Sequence, residues 1–173
     1  VDALLLRPLP VRDPQNLVQL FEQQAKRPAD PYFHYRFYQH LSRYSSTLFE
    51  TVGQMDTARA LERSGHAERV HTVAVTEDFF NYLGVAPLLG RVLGKGDNHV
   101  AVLSYAYWSR RFGRNPTVLG QVVRLEGHPY TIIGVTPEAF TGTTVDSSPD
   151  LWIPFANQLD FSRTPNPNLD QYV

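Results

Sequence analysis

Residues 73–146 read VAVTEDFFNYLGVAPLLGRVLGKGDNHVAVLSYAYWSRRFGRNPTVLGQVVRLEGHPYTIIGVTPEAFTGTTVD, residues 147–154 continue as SSPDLWIP, and together they supply short strands, turns and short helices in quick succession. The β-branched and aromatic residues concentrate in residues 99–103, 120–126 and 130–135, which predicts three strands, the last two joined as a hairpin. Residues 104–112 predict a helix capped by its first serine. The pattern is that of a folded scaffold, and it brings together no set of residues that would carry out a reaction.

Composition places the chain among globular proteins. Its 173 residues are 42% hydrophobic and 12% aromatic, which suits one domain or two small lobes with a real core. The net charge of -1 argues against a nucleic-acid partner, because phosphate binding needs a basic surface. The chain has no cysteine, which excludes disulfides and thiolate metal sites. No run approaches the roughly 18 to 20 apolar residues that span a bilayer.

The first half of the chain predicts a βαββα arrangement. Residues 16–22 alternate in polarity and predict a buried strand, and residues 32–47 predict an amphipathic helix packed on a sheet. Residues 57–61 and 69–75 are rich in β-formers and predict a hairpin. Residues 77–83 predict a short helix.

The ends of these elements carry their own signals. Thr76 is predicted to be the N-cap of the short helix, and Gly84 to end it. Residues 85–98 contain glycines and a proline and predict mostly loop, whereas residues 151–155 predict a last strand. Residues 156–173 are polar and rich in proline and asparagine, which predicts a tail or an interrupted connection.

A metal-dependent hydrolase is the enzyme class to weigh. His66, Glu68 and His71 are close in sequence, but the spacing H-x-E-x-x-H differs from the helical H-E-x-x-H of zinc proteases, and a third ligand is needed. His34 and His40 point in different directions on the predicted helix. The sequence therefore predicts no metal site, no cofactor site and no catalytic residue.

Two further segments are predicted to be turns. Residues 146–150, an Asp-Ser-Ser-Pro-Asp run, match neither the nucleophile elbow G-x-S-x-G nor the EF-hand pattern. Residues 90–96 (GRVLGKG) lack the strand-to-helix setting and the following Ser or Thr of a phosphate-binding loop.

A binding module for a glycan or peptide is the second alternative. Tyr105, Tyr107, Trp108 and Trp152 would supply an aromatic platform, but the helical spacing of Tyr105, Trp108 and Phe112 favours packing in a core. Tyr107 is predicted to be the exposed member of the group.

A small basic cluster lies beside that tyrosine. Arg110, Arg111 and Arg114 follow Tyr107 on the same predicted helix, and such a cluster is usually a solvated face. If a partner protein docks on this part of the chain, these four residues are the predicted contacts.

Five segments in this order closely resemble the extracytoplasmic domain of MacB-like ABC permeases, especially the large duplicated permeases: VDALLLRPLPVRDPQNLV, TEDFFNYLGVAPLLGRVL, VAVLSYAYWSRRFG, PTVLGQVVRLEGHPYTIIGV and DLWIPF. The resemblance covers residues 1–155. It implies that residues 1–6 are the end of the first transmembrane helix and residues 1–16 a membrane-exit segment and linker. It also implies an α+β fold, with an incomplete porter-like βαββα lobe over residues 17–83 and an inserted, mostly β, sabre-like lobe over residues 84–155.

The resemblance implies a location, partners and a role. Such a domain lies on the periplasmic face of the inner membrane, joined to its own transmembrane helices and ATP-binding domain. Its implied role is to transmit conformational change and to dock a membrane-fusion adaptor protein, with no catalysis of its own. A hinge between the lobes is predicted at Gly84 and residues 90–96. The chain has no G-x-x-x-x-G-K-[ST] motif with which to cradle a nucleotide.

Overall fold

The computed structural model describes residues 11–20, 35–44, 49–63, 65–144 and 148–161. In chain order its elements, with η marking a 3-10 helix, are η1 (Pro14–Asn16), α1 (Tyr35–Tyr44), β1 (Gln54–Arg63), β2 (His66–Val75), α2 (Phe79–Tyr82), β3 (Leu89–Gly90), β4 (Val100–Leu103), α3 (Tyr105–Phe112), η2 (Pro116–Val118), β5 (Val122–Leu125), β6 (His128–Val135), β7 (Leu151–Pro154) and η3 (Phe155–Phe161). The fold is mixed and dominated by its sheet, which confirms the predicted α+β class.

The hairpin of β1 and β2 is the longest strand pairing in the described part of the chain. Each strand has 10 residues, and the two pair antiparallel along their whole length. Gly65 at the turn has a φ of 78°, a left-handed conformation that glycine adopts without strain. The hairpin predicted from residues 57–61 and 69–75 is confirmed, and both strands are longer than predicted.

The strands form a single sheet that closes on itself. Its order is β3-β6-β4-β7-β2-β1-β5, and β5 pairs with β6 as well as with β1. Six of the strands therefore form a ring, β6-β4-β7-β2-β1-β5, and β3 is added along the edge of β6. Within the ring β2–β7 and β4–β6 are parallel, and the other pairs are antiparallel. Closure leaves no long open edge among the described strands, so each ring strand is held by two neighbours.

The ring combines segments that the sequence assigned to two lobes. β1 and β2 precede Gly84, and the other ring strands follow it. The predicted boundary between residues 17–83 and 84–155 thus falls within one continuous sheet, because the parallel partner of β2 is the distant β7. The hinge predicted at Gly84 and residues 90–96 stays a prediction, although Gly90 is itself bonded to β6 through β3.

One side of the sheet packs against α3. The buried apolar residues of this first core are Leu61, Val70, Ala74, Ala101, Leu103, Tyr107, Trp108, Phe112, Val118, Val123, Leu125, Tyr130, Ile132, Val135, Leu151 and Ile153. Ser104 caps α3 as predicted, since its Oγ accepts a hydrogen bond from the backbone N–H of Tyr107 at 3.1 Å. Gly113 ends the helix in the left-handed region, with a φ of 57°.

A buried polar contact fixes α3 on β2. Tyr107 is 1% exposed, and its hydroxyl donates to Oε1 of Glu68 at 2.8 Å. Burial and then this hydrogen bond raise the pKa of Tyr107 well above its usual range. Glu68 also forms an ion pair with Arg111 of α3, so the helix is joined to β2 at two places.

The other side of the sheet packs around Trp152 of β7, which is fully buried. Its ring contacts Phe80 of α2 and Phe140, with centroid distances of 5.7 and 5.4 Å. These edge-to-face and tilted contacts are the geometries that aromatic pairs prefer. The second core thus fastens α2, and the chain after β6, to the outside of the ring.

The start of α2 differs from the prediction. Thr76 does not cap the helix, because α2 begins at Phe79 and the Thr76 hydroxyl accepts from the backbone N–H of Gly53 at 3.0 Å. This bond joins the two ends of the long hairpin, which a local capping pattern does not reveal. Gly84 does end the helical turn, with a φ of 67°.

The strand predicted at residues 16–22 is wrong over its described part. η1 ends at residue 16, and residues 17–20 form no strand. Leu17 and Val18 are 40% and 78% exposed. An alternating pattern gives a strand only where a sheet edge can pair with it, and none of the described strands pairs with these residues.

The helix predicted at residues 32–47 is confirmed over α1. Its apolar stripe is not buried on the sheet as predicted, because Phe37 and Tyr44 are 46% and 69% exposed.

Residues 1–10, which include the predicted membrane-exit segment 1–6, lie outside the described residues. Among the helices that are described, none has the length and apolar character needed to cross a membrane.

The segment predicted as a tail, residues 156–173, begins as part of the packed structure. η3 follows β7 directly, and Asn157 and Gln158 are buried. Arg59 donates from Nη2 to Oε1 of Gln158 at 2.8 Å, and its guanidinium lies 3.6 Å from the centre of the Phe161 ring. The polar composition predicted a tail or an interrupted connection, but Gln158 is buried with a partner from β1.

The substitution Gly134→Ala in β6 tests the close approach of β3 to β6. A Cβ at this position would lie 2.0 Å from the carbonyl oxygen of Arg91, so Gly134→Ala must push backbone apart. We expect a loss of about 2 kcal/mol in the free energy of unfolding, measured by urea denaturation. Gly94→Ala is the matched control, since its Cβ would meet nothing within 4 Å. Equal stability of the two variants would contradict this packing.

Tyr107→Phe tests the bond that fixes α3. We expect a loss of about 1–2 kcal/mol at neutral pH, because one hydrogen bond to a carboxylate disappears. The pKa of Tyr107 is raised above 10.0 in the folded protein, so its stabilising contribution is complete below pH 10 and is lost as pH rises through the folded pKa.

The alkaline limb of the stability curve is the readout for that bond. Above pH 10, the free energy of unfolding measured with urea should fall more steeply for the wild type than for Tyr107→Phe. Tyr105→Phe, a change on the same helix, serves as the control. Parallel curves for wild type and Tyr107→Phe would refute the assignment.

Candidate functional site

The four predicted partner contacts lie on or just after α3, and three of them are at the surface. Arg110, Arg111 and Arg114 are exposed. The prediction that Tyr107 is exposed is wrong. The buried side of α3 is formed by residues 104, 107, 108 and 112, which have helical spacing. Tyr107 belongs to this side because the first turn of the helix faces the sheet.

Arg110 and Arg111 are each paired with a carboxylate of the ring or its flank. Arg110 donates from Nη2 to Oδ1 of Asp150 at 2.8 Å, and Arg111 pairs with Glu68. Their side chains are still 55% and 47% exposed. Pairs of this exposure contribute little to stability, but they orient the guanidinium groups.

Arg114 is held differently. It follows the glycine that ends α3, and its own φ is 60°, a left-handed conformation that is costly for a residue with a side chain. Its Nε donates to Oγ of Ser109 at 3.0 Å, and its guanidinium lies 5.1 Å from the centre of the Tyr105 ring. Among the described residues it has no carboxylate partner within ion-pair distance. We call Arg110, Arg111 and Arg114 the α3 arginine surface.

Arg63 borders this surface, and no sequence pattern pointed to it. It is the last residue of β1, and its Nη2 donates to the carbonyl oxygen of Arg111 at 3.0 Å. Its guanidinium also lies 4.2 Å from the centre of the Phe112 ring. No local signal links Arg63 to α3, because the contact depends on how the hairpin sits against the helix.

The aromatic platform weighed for a glycan or peptide does not form. Tyr107, Trp108 and Trp152 are 1%, 6% and 0% exposed, and only Tyr105 is half-buried. The indole N–H of Trp108 donates to the carbonyl oxygen of Asn115 at 3.0 Å, inside the turn that follows α3. These rings belong to the two cores.

The residues weighed for a zinc site do not converge. Glu68 and His71 lie on opposite faces of β2, because side chains alternate along a strand. Glu68 is engaged by Tyr107 and Arg111, whereas Nε2 of His71 lies 2.9 Å from Oδ1 of Asp56. Within the described residues no group of three or more metal-ligating side chains is close enough to hold an ion.

The two segments predicted as turns have structural roles where they are described. Asp150 accepts hydrogen bonds from the backbone N–H of His71 and from Arg110, which ties β7 to β2. In residues 90–96, Arg91 binds the carboxylate of Asp97 through two hydrogen bonds of 2.6 and 2.7 Å. This hydrogen bonding to Arg91 lowers the pKa of Asp97.

A cleft of about 550 Å³ lies between α1 and the ring. Its lining includes His40, Arg43, Glu77, Asp78 and Asp97. The carboxylate of Asp97 is already hydrogen-bonded to Arg91. The lining mixes both signs of charge and does not define one class of ligand.

Two solved structures share the fold at low sequence identity. The periplasmic region of MacB from Actinobacillus actinomycetemcomitans matches with a TM-score of 0.53 and 21% identity, over 65% of this chain and 50% of that chain. The extracellular domain of the noncanonic ABC-type transporter YknZ from Gram-positive bacteria matches with a TM-score of 0.53 and 18% identity, over 70% of this chain and 59% of that chain. This chain therefore spans half to three-fifths of their lengths.

The comparison of sequences gives the family. No curated protein matches the chain significantly. The sequence model of the MacB-like periplasmic core domain matches residues 4–172, nearly the whole chain. The structural matches, a periplasmic region of MacB and an extracellular domain of an ABC-type transporter, agree with that description. The chain belongs to the family of MacB-like periplasmic core domains.

Proposed function

We propose that this chain is the extracytoplasmic domain of an ABC-type export permease on the outer face of the inner membrane. It transmits conformational change from its own transmembrane helices and ATP-binding domain, and it docks an adaptor protein. It performs no catalysis of its own and needs no cofactor. The observation that carries the proposal is the family match over residues 4–172.

Transmission of movement requires a body that does not deform, and the closed ring supports this part of the proposal. Each ring strand is hydrogen-bonded to two neighbours. Packed cores cover both faces of the sheet, with α3 on one and α2 on the other. Close-packed interiors transmit strain and are not continuously deformable, so a force on one end of the ring reaches the other.

Docking of an adaptor requires an exposed surface whose side chains are already ordered. The α3 arginine surface meets this requirement, because each of its three side chains is exposed and has a polar partner within the domain. Ordered side chains lose less conformational entropy when a partner binds. The glycan or peptide alternative has no such support, since its aromatic residues are mostly buried.

Spin-label distances test the transmission of movement. The chain contains no cysteine, so labels introduced at Ala106 on α3 and Glu62 on β1, both exposed, are unique within it. In the full-length permease in lipid nanodiscs, we expect ATP to change the distance from Ala106 to a label in the membrane portion. The distance from Ala106 to Glu62 should stay constant. A nucleotide-dependent change in the distance from Ala106 to Glu62 would contradict the proposal.

Photo-cross-linking tests the docking of an adaptor. A photoreactive residue at Ala106, next to the α3 arginine surface, should capture a membrane-fusion adaptor in cells that express the full-length permease. Val122 on β5 is 56% exposed and provides the control position, from which no adaptor should be captured. An active permease that captures no adaptor from Ala106 would remove this part of the proposal.

A further inference from the structure

We propose that the α3 arginine surface recognises a carboxylate-rich segment of a partner protein, with Arg114 as the principal donor. This inference rests on the docking role proposed above and specifies the chemistry of the partner. It goes beyond the presence of positive charge, because it depends on how the guanidinium groups are oriented.

The charge of this surface differs from that of the whole chain. In the described part of the chain, Arg63, Arg110, Arg111 and Arg114 meet around the last turn of α3, where the carboxylates that contact them are those of Glu68 and Asp150. The local excess is therefore positive, whereas the chain as a whole has a net charge of -1. A segment with several Asp or Glu residues is complementary to this end of the ring.

Arg114 and Arg110 each lie over an aromatic ring, a contact that does not use the N–H groups of the guanidinium. The guanidinium of Arg114 lies over Tyr105 and that of Arg110 over Tyr107, at 5.1 and 5.4 Å from the ring centres. The N–H groups of a guanidinium lie in one plane, and this planar fork binds a carboxylate in a bidentate manner. A lysine in the same place would offer only a point charge.

Arg114 is the strongest donor candidate, because no carboxylate in the described part of the chain pairs with it. Its Nε is bonded to Ser109, and its two terminal nitrogens donate to no other group in the described part of the chain. In contrast, Arg110 and Arg111 are already paired with Asp150 and Glu68.

The backbone of Arg114 gives an independent indication. Its φ of 60° follows a φ of 57° at Gly113, so two successive residues at the end of α3 are left-handed. Glycine or asparagine would adopt this conformation at lower cost. Strained residues concentrate at functional sites, and the arginine here costs stability while extending a cation beyond the helix end.

Three variants of the full-length permease, in nanodiscs of neutral lipid, separate binding from folding. The probe is fluorescently labelled poly-L-glutamate, and its affinity is measured by anisotropy. Arg114→Asn removes the charge but tolerates the left-handed backbone, so we expect affinity to fall about five-fold or more while the Tm stays unchanged or rises. Arg114→Lys keeps the charge but not the fork, and should lose a smaller part of the affinity. Arg124→Asn, on β5, is the control and should bind as the wild type does.

Each outcome decides between defined alternatives. Unchanged poly-L-glutamate binding in Arg114→Asn, together with a lower Tm, would show that Arg114 only stabilises the helix end. Binding of phosphatidylserine vesicles that depends on Arg114, without binding of poly-L-glutamate, would make the surface a lipid contact and overturn the proposal. If poly-L-glutamate binding fails while Ala106 still captures an adaptor, the inference about carboxylates is wrong and the docking role stands.

Discussion

Closure of the sheet through β6 is the constraint on which the rest of the structure depends. One edge of β6 bonds to β4, and the other is shared by β5 at residues 128–131 and by β3 at residues 134–135. The shared edge requires main chain to approach main chain without a side chain between them, which Gly134 and Gly90 allow. Without this sharing, buried N–H and C=O groups would lose their partners, at a cost of about 1–3 kcal/mol each.

The closed ring also determines what lies at the surface. Because β4 leads directly into α3, the first turn of the helix faces the sheet, and the side of the helix that carries Arg110 faces solvent. The last residue of β1, Arg63, then reaches the end of α3 and bonds to its backbone. The α3 arginine surface is thus supported by segments that are distant in sequence.

The arginines of this surface could be found from the sequence, but their surroundings could not. Clustered charges on a short helix are exposed in most folds, which is why Arg110, Arg111 and Arg114 were identified. The prediction that Tyr107 is exposed is wrong because it assigned the buried stripe to Tyr105, Trp108 and Phe112, whereas the structure supplies Glu68 as a partner for the Tyr107 hydroxyl and buries its ring. Arg63 gave no signal, since its role depends on a helix that begins only after three further strands and the intervening turns.

Local chemistry determined the single elements of this protein. Three kinds of signal act over only a few residues and could be predicted from the sequence. They are the alternating residues of the long hairpin, the serine that caps α3 and the glycines that end the helices. Only the tertiary structure decided which strands pair. The parallel bonds between β2 and β7 form between backbones, which carry no residue-specific code, and they place strands from both sides of Gly84 in one ring. The energy of that closure comes from the burial of two shared cores and exists only when all of the strands are assembled.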